Sequence, residues 1–255
     1  MLSALLPVAI KGSVNYFKHD LIDGSLLRRG IPTINAQWSP GATVLTGDFI
    51  FAKAARLAAE TDSVQVMRLF AETLAIIVDG EITQMFSSQG LASREDYYQR
   101  IYAKTASMFE LAATAAAMLS PVDKTVERAM HRFGYEIGMA FQIVDDILDF
   151  TGEQEMVGKP VASDLRHGLI TLPALYYYEA NPDDKRMEAL IKSGISDREI
   201  EALISDIRQS GAVKQAFSEA KQFIERGVAE LEILTNSQAR SSVIEIAYYI
   251  VDREL

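Results

Sequence analysis

A chain of 255 residues, 49% of them hydrophobic, is long enough for one sizeable core, and 35 acidic against 25 basic side chains leave a net charge of −10. That balance argues against a nucleic-acid binder, which needs a basic stripe, and against simple electrostatic docking on an anionic membrane. With no cysteine and three histidines, disulfides, a thiolate metal site and a cysteine nucleophile are excluded, and zinc lacks its usual ligands.

The opening stretch, Leu2-Ser3-Ala4-Leu5-Leu6-Pro7-Val8-Ala9-Ile10, is too short to cross a bilayer. It also lacks the basic start and cleavage site of a secretory signal, so a cytoplasmic protein without a transmembrane segment is expected. His19-Asp20-Leu21-Ile22-Asp23 is an acidic cluster in which Asp20 and Asp23, three apart, would share a helix face. Arg28 and Arg29 follow at once, suited either to bidentate phosphate binding or to a surface ion-pair cluster. Residues 44–59 and 64–85 are predicted helices, the second with Met67, Phe70, Leu74, Ile77 and Val78 at helical spacing. Ser93, with Glu95 and Asp96 behind it, marks a helix start. That helix runs through Tyr102 and Phe109 into the alanine-rich stretch 112–118, and Pro121 punctuates it. A long helix is predicted over 124–150, then a loop with Gly152 and Gly158-Lys159-Pro160. Thr171-Leu172-Pro173 and Asp197 open two more helices, and 218–234 and 242–251 close the chain. Strand signals are weak, so the fold class is all-α, a helical bundle in a single domain over 1–255. Several helices are apolar beyond one stripe and should be central, or face a partner subunit or an apolar cavity.

The chemistry concentrates in Phe141-Gln142-Ile143-Val144-Asp145-Asp146-Ile147-Leu148-Asp149-Phe150. On a helix, Asp145 and Asp149 are one turn apart and Asp146 and Asp149 three apart, so all three are expected on one face. Like charges at that spacing repel, which calls for a cation between them or a wet face. Clustered carboxylates are natural ligands of hard divalent cations, and Mg²⁺ is usually shared with substrate phosphates.

Taken together, the two acidic clusters make the chain resemble the trans-isoprenyl diphosphate synthases, or polyprenyl synthetases, of medium- to long-chain type. Asp20-Leu21-Ile22-Asp23 with Leu27-Arg28-Arg29-Gly30 resembles their first aspartate-rich motif. Lys104-Thr105 is similar to their phosphate-binding pair, and Phe141-Gln142 with Asp145, Asp146 and Asp149 to their second motif. Gly158-Lys159-Pro160, Ser163-Asp164 and Thr171-Leu172-Pro173 resemble the family's loop and helix beyond that second motif. The resemblance implies a bundle around a deep apolar cavity, usually in a homodimer. It implies a Mg²⁺-dependent prenyltransferase that joins isopentenyl diphosphate to an allylic prenyl diphosphate, giving a linear trans-polyprenyl diphosphate. It also implies roles: Asp20, Asp23, Asp145 and Asp149 as metal ligands, with Asp146 behind them. Arg28, Lys104 and Lys159 would grip the allylic diphosphate, Arg29 the isopentenyl diphosphate, and Thr105 and Gln142 would support the carbocation region.

The chain departs from the pattern at its start. His19 stands where the family's first motif begins with an acid, and imidazole is a poor Mg²⁺ ligand. No Gly-Lys-Arg element precedes it, so some N-terminal helices of the domain are expected to be missing. Both departures leave a second reading open, a non-catalytic or regulatory subunit of a heteromeric synthase. A terpene cyclase fits less well, because it has no second diphosphate for Arg28-Arg29 to hold. A purely structural bundle leaves the acidic face unexplained. Tyr16 and Phe17 would lie where the family sets product length.

Overall fold

The structure is a computed structural model that describes residues 27–28, 31–86, 93–151 and 161–252. A two-residue antiparallel pairing, β1 (Leu27–Arg28) with β2 (Ile31–Pro32), comes first. Helices follow: α1 (Ile34–Gln37), α2 (Pro40–Ala59), α3 (Val64–Phe86) and α4 (Arg94–Ile101). A π-helical turn, Tyr102–Ala106, joins α4 to α5 (Ser107–Met118). Beyond it lie α6 (Lys124–Thr151), α7 (Ser163–Arg166), α8 (Leu172–Ala180) and α9 (Arg186–Lys192). The chain ends with α10 (Asp197–Gln209), α11 (Ala212–Glu230), a 3₁₀ turn (Leu231–Ile233) and α12 (Gln238–Asp252).

The helices predicted from residue 44 onward are present, with shifts at their ends, while the helical turn expected at 20–23 lies outside the described residues. Helix α2 begins four residues earlier than predicted, because Ser39 accepts a hydrogen bond from the Ala42 N–H at 3.3 Å and Pro40 suits the first turn. Ser93 and Asp96 form a reciprocal capping box at α4, as Ser196 and Glu199 do at α10. The helix predicted over 218–234 starts at Ala212, where Gly211, at φ 87°, turns the chain.

Helix α6 is the axis of the bundle. Phe133, Ile137, Met139, Ala140, Ile143, Val144, Ile147 and Phe150 are all buried along it. Helices α5 and α11 pack along its length, and α8, α10 and α12 also touch it. Two glycines one turn apart let the preceding helix come close. A Cβ at Gly134 would lie 2.6 Å from the Cα of Glu110, and one at Gly138 would lie 2.5 Å from the Cα of Ala106. From the opposite side, a Cβ at Gly80 of α3 would lie 2.5 Å from the Cβ of Ala103. The π turn is thus held between two helices that approach it through glycine.

Helices α2 and α3 pack on one another, yet they leave large apolar side chains in solvent. Leu45 is 70% exposed, Phe49 63% and Phe86 79%, with Val44, Val78, Ile82 and Met85 exposed as well. No helix among the described residues is long and apolar enough to cross a membrane.

Candidate active site

The Lys104-Thr105 pair sits on the π turn between α4 and α5. π turns insert one extra residue into a helix and recur at functional sites. The second acidic run occupies the last turns of α6. The two segments meet through a buried chain of hydrogen bonds. The Thr105 hydroxyl donates to Gln142 Oε1 at 2.6 Å, and Gln142 Nε2 donates to Asp146 Oδ1 at 2.8 Å. From α4, the Tyr97 hydroxyl donates to Asp146 Oδ2 at 2.8 Å. Thr105, Gln142, Asp146 and Tyr97 are all buried.

The three acids do not share one face. Asp145 is exposed, Asp149 is half-buried and Asp146 is buried. Adjacent residues on a helix point about 100° apart, so Asp146 turns inward while Asp145 faces solvent. The expected like-charge face is reduced to Asp145 and Asp149. Burial pushes the Asp146 carboxyl up to about 7. Asp164 nearby pushes the same way, while the Gln142 amide, the Lys104 ammonium and the Tyr97 hydroxyl oppose it. Burial, with Asp146 beside it, holds the Tyr97 phenol well above its ordinary value. Sequence reasoning misses Tyr97 and gives Asp164 no role. The available signal for Tyr97 is its register, seven residues before Lys104 and one helical turn before buried Ile101.

Asp149 ties the end of α6 to the segment that opens α7. Its carboxylate oxygens accept the backbone N–H groups of Ser163 at 3.2 Å and Asp164 at 3.1 Å. Its carbonyl accepts from the N–H of Ala162 at 2.7 Å. Ala162 is left-handed, at φ 53°, which brings successive N–H groups round onto the acid. Asp145 makes no hydrogen bond or ion pair with the described residues.

Of the other expected site residues, Arg28 lies on β1, opposite Ile31. Asp20, Asp23, Arg29 and Lys159, like His19, lie outside the described residues. No group of three acids or histidines is arranged for a metal among the described residues. The donor set still suits a hard cation. Asp145 is an exposed carboxylate, and Asp149 is a second carboxylate one turn further along the same helix. Mg²⁺ commonly takes one or two protein carboxylates and completes its shell with phosphate and water.

A separate pocket of about 1040 Å³ opens between α4, α5, α6, α8 and α11. Its walls include Tyr98, Tyr102, Tyr135, Tyr176 and Phe223, and none of the motif residues line it. The hydroxyls of Tyr98 and Tyr176 both donate to Glu219, and the Arg94 guanidinium lies 4.2 Å from the centre of the Tyr176 ring.

Known proteins of the same kind are numerous. The family described as Polyprenyl synthetase matches residues 18–207. The chain is 34% identical over 236 residues to heptaprenyl diphosphate synthase component 2 of Bacillus subtilis, covering 92% of this chain and 68% of that protein. It is 34% identical over 239 residues to the octaprenyl diphosphate synthase of Haemophilus influenzae, covering 92% and 72%. The fold matches the crystal structure of heptaprenyl diphosphate synthase from Staphylococcus aureus with a TM-score of 0.94 at 29% identity, covering 99% of this chain and 80% of that one. It matches polyprenyl synthase from Caulobacter crescentus, complexed with calcium and isoprenyl diphosphate, with a TM-score of 0.91 at 30% identity, covering 99% and 78%.

Proposed function

The chain belongs to the polyprenyl synthetase family, and we propose that it is a catalytic member: a Mg²⁺-dependent prenyltransferase that condenses isopentenyl diphosphate with an allylic prenyl diphosphate. The product is a linear trans-polyprenyl diphosphate of medium or long chain. One observation carries this reading. An exposed carboxylate, Asp145, without a partner among the described residues, stands next in sequence to Asp146, which is buried, hydrogen-bonded to Gln142 and within electrostatic reach of Lys104. A merely solvated helix end has no need of such a buried polar chain, whose members must all be satisfied to be tolerated.

Asp145 and Asp149, with Asp20 and Asp23, would hold Mg²⁺. When bound, the metal offsets the negative charge that builds on the departing diphosphate. A related synthase from Caulobacter crescentus was crystallised with calcium and isoprenyl diphosphate, which supports a divalent ion beside a diphosphate. Lys104, Arg28 and Lys159 place positive charge on the allylic diphosphate, and Arg29 on the isopentenyl diphosphate. Thr105, backed by Gln142, presents its oxygen toward the carbon that becomes electron-poor as its C–O bond breaks. The isopentenyl double bond attacks that carbon, and loss of one proton completes the five-carbon extension. The exposed apolar side chains of α2 and α3 support a homodimer.

A second reading, as a non-catalytic subunit of a heteromeric synthase, is favoured by His19 at the head of the first motif; the Bacillus subtilis relative, a component 2, supports a heteromeric assembly without saying which component is catalytic. One assay separates the two. Purified protein is incubated with labelled isopentenyl diphosphate, Mg²⁺ and a panel of allylic diphosphates, and product length is read by chromatography. A ladder ending at one length supports the catalytic reading. Extension only after a second protein is added supports the other. His19→Asp should raise Mg²⁺-dependent turnover if imidazole has replaced a ligand.

A further inference from the structure

Four buried side chains from three segments form one line of hydrogen bonds, and only its far end faces the chemistry. Tyr97 comes from α4, Thr105 from the π turn, and Gln142 and Asp146 from α6. We propose that Tyr97 is a positioning residue for the condensation: its hydroxyl, acting through Asp146 and Gln142, fixes the direction in which Thr105 presents its oxygen. This role rests on the catalytic reading above.

The donors give the line its direction. A phenol has a single proton, and Tyr97 commits it to Asp146 Oδ2. In its ionised form, the one in which both oxygens accept, the carboxylate is then held at one oxygen and offers Oδ1 to Gln142. A glutamine side chain has two unlike ends, an accepting oxygen and a donating nitrogen, and its surroundings decide which way it faces. With the Gln142 nitrogen committed to Asp146, its oxygen must face the π turn. Thr105 therefore gives its only proton to Gln142 and turns its lone pairs away from it. Lone pairs favour a nearby carbon that is losing electrons, whereas an outward hydroxyl proton would oppose it. Remove the Tyr97 hydroxyl and Asp146 Oδ2 is left buried without that donor. The carboxylate is then free to rotate, and Gln142 is no longer tied to one orientation. Tyr97 itself is fully buried, packed at 5.6 Å ring to ring against Tyr98, so the ring supports the core whether or not the hydroxyl is present.

The test is Tyr97→Phe, which keeps the ring and deletes one oxygen. Turnover should fall about 10-fold or more while KM for both diphosphates moves less than about 2-fold. Thr105→Val and the double variant complete a cycle. If the two residues act through one chain, the double variant is no slower than the slower single variant; losses that multiply overturn the proposal. A second readout needs no activity. In protein labelled with ¹⁵N at glutamine side chains, the Gln142 amide pair is assigned by its loss in Gln142→Glu. Those signals should shift and exchange faster with water in Tyr97→Phe, and unchanged signals overturn the proposal. Should Tyr97→Phe fold poorly, Asp146→Asn breaks the next link and is read the same way. If the parent protein makes product and Tyr97→Phe is equally fast, the inference fails and the catalytic reading stands. If the parent makes none, the catalytic reading fails, and the amide spectrum still decides whether Tyr97 holds Gln142.

Discussion

Replacing Gly138 by alanine sets two general effects against each other. Helix propensity alone favours alanine by about 1 kcal/mol in the interior of α6. Against it stands a Cβ placed 2.5 Å from Ala106 Cα, 2.9 Å from its Cβ and 3.0 Å from its carbonyl oxygen. Carbon atoms rest at about 3.5–4.0 Å, so α6 and the π turn must part by roughly 1 Å. The atoms met are mostly backbone, so no rotamer change relieves them. Nor is retreat open, because Ala103 already meets the Gly80 face of α3. Overpacking costs about 1–3 kcal/mol or more, and a clash with backbone atoms belongs at the upper end, so a net loss of about 2 kcal/mol is left after the roughly 1 kcal/mol gained in propensity. In a chain of this size, that lowers Tm by roughly 4–8 °C. Urea unfolding measures the change as a shift in midpoint at constant slope. Gly41→Ala is the control: nothing lies within 4 Å of its Cβ, so it should be neutral or slightly stabilising. Turnover of Gly138→Ala should drop as well, since the displaced turn carries Lys104 and Thr105. A Gly138→Ala protein as stable as its parent would refute the clamp.

Asp145→Ala should abolish most Mg²⁺-dependent turnover and leave the thermal melt unchanged, because the side chain is exposed and packs no core; undiminished turnover would remove it from the metal site. Asp146 behaves differently with pH. The folded chain holds its proton up to about 7 while the unfolded chain releases it in the ordinary carboxylate range, so this group makes stability fall as pH rises between the two. Asp146→Asn should remove that fall, as seen by urea unfolding with a chelator at about pH 5 and about pH 8. Ser93→Ala should cost about 1 kcal/mol through loss of the capping box at α4, again read by urea unfolding. If the proposed homodimer forms through the exposed apolar side of α2, Phe49→Glu should lower the mass from dimer to monomer in light scattering after size exclusion; a parent that is already monomeric, or a dimer left unchanged by the substitution, would rule that interface out.

Much of this architecture is legible from local chemistry. Ser93 with Asp96 and the long apolar period of α6 each carry a signal that acts within a few residues, and so do Ser39 and Pro40, which the expected start at residue 44 overlooks. The π turn does not. Gly80 and Gly138 let two other helices come close to it at Ala103 and Ala106, and no local pattern encodes that arrangement. The same limit applies in the site. Counting residues brings Asp145, Asp146 and Asp149 near one another, but which of them turns inward depends on what surrounds α6. Tyr97 looks like an ordinary core aromatic until its hydroxyl is seen to meet Asp146. The short helix α9 carries too few periods to be recognised, and it is held by Arg186 clamping Asp184 and Asp206 from its first turn.

The central place of α6 also bears on how the protein is made. Helix α5 precedes it in the chain, but α11, which covers its other side, begins roughly 60 residues after it ends. At about 5–20 residues per second, a ribosome takes on the order of 3–12 s to supply that cover. During that interval Ile143, Val144, Ile147 and Phe150 have emerged without their full set of neighbours. The helix that bears the acids is therefore a stretch of the nascent chain with much to gain from a chaperone.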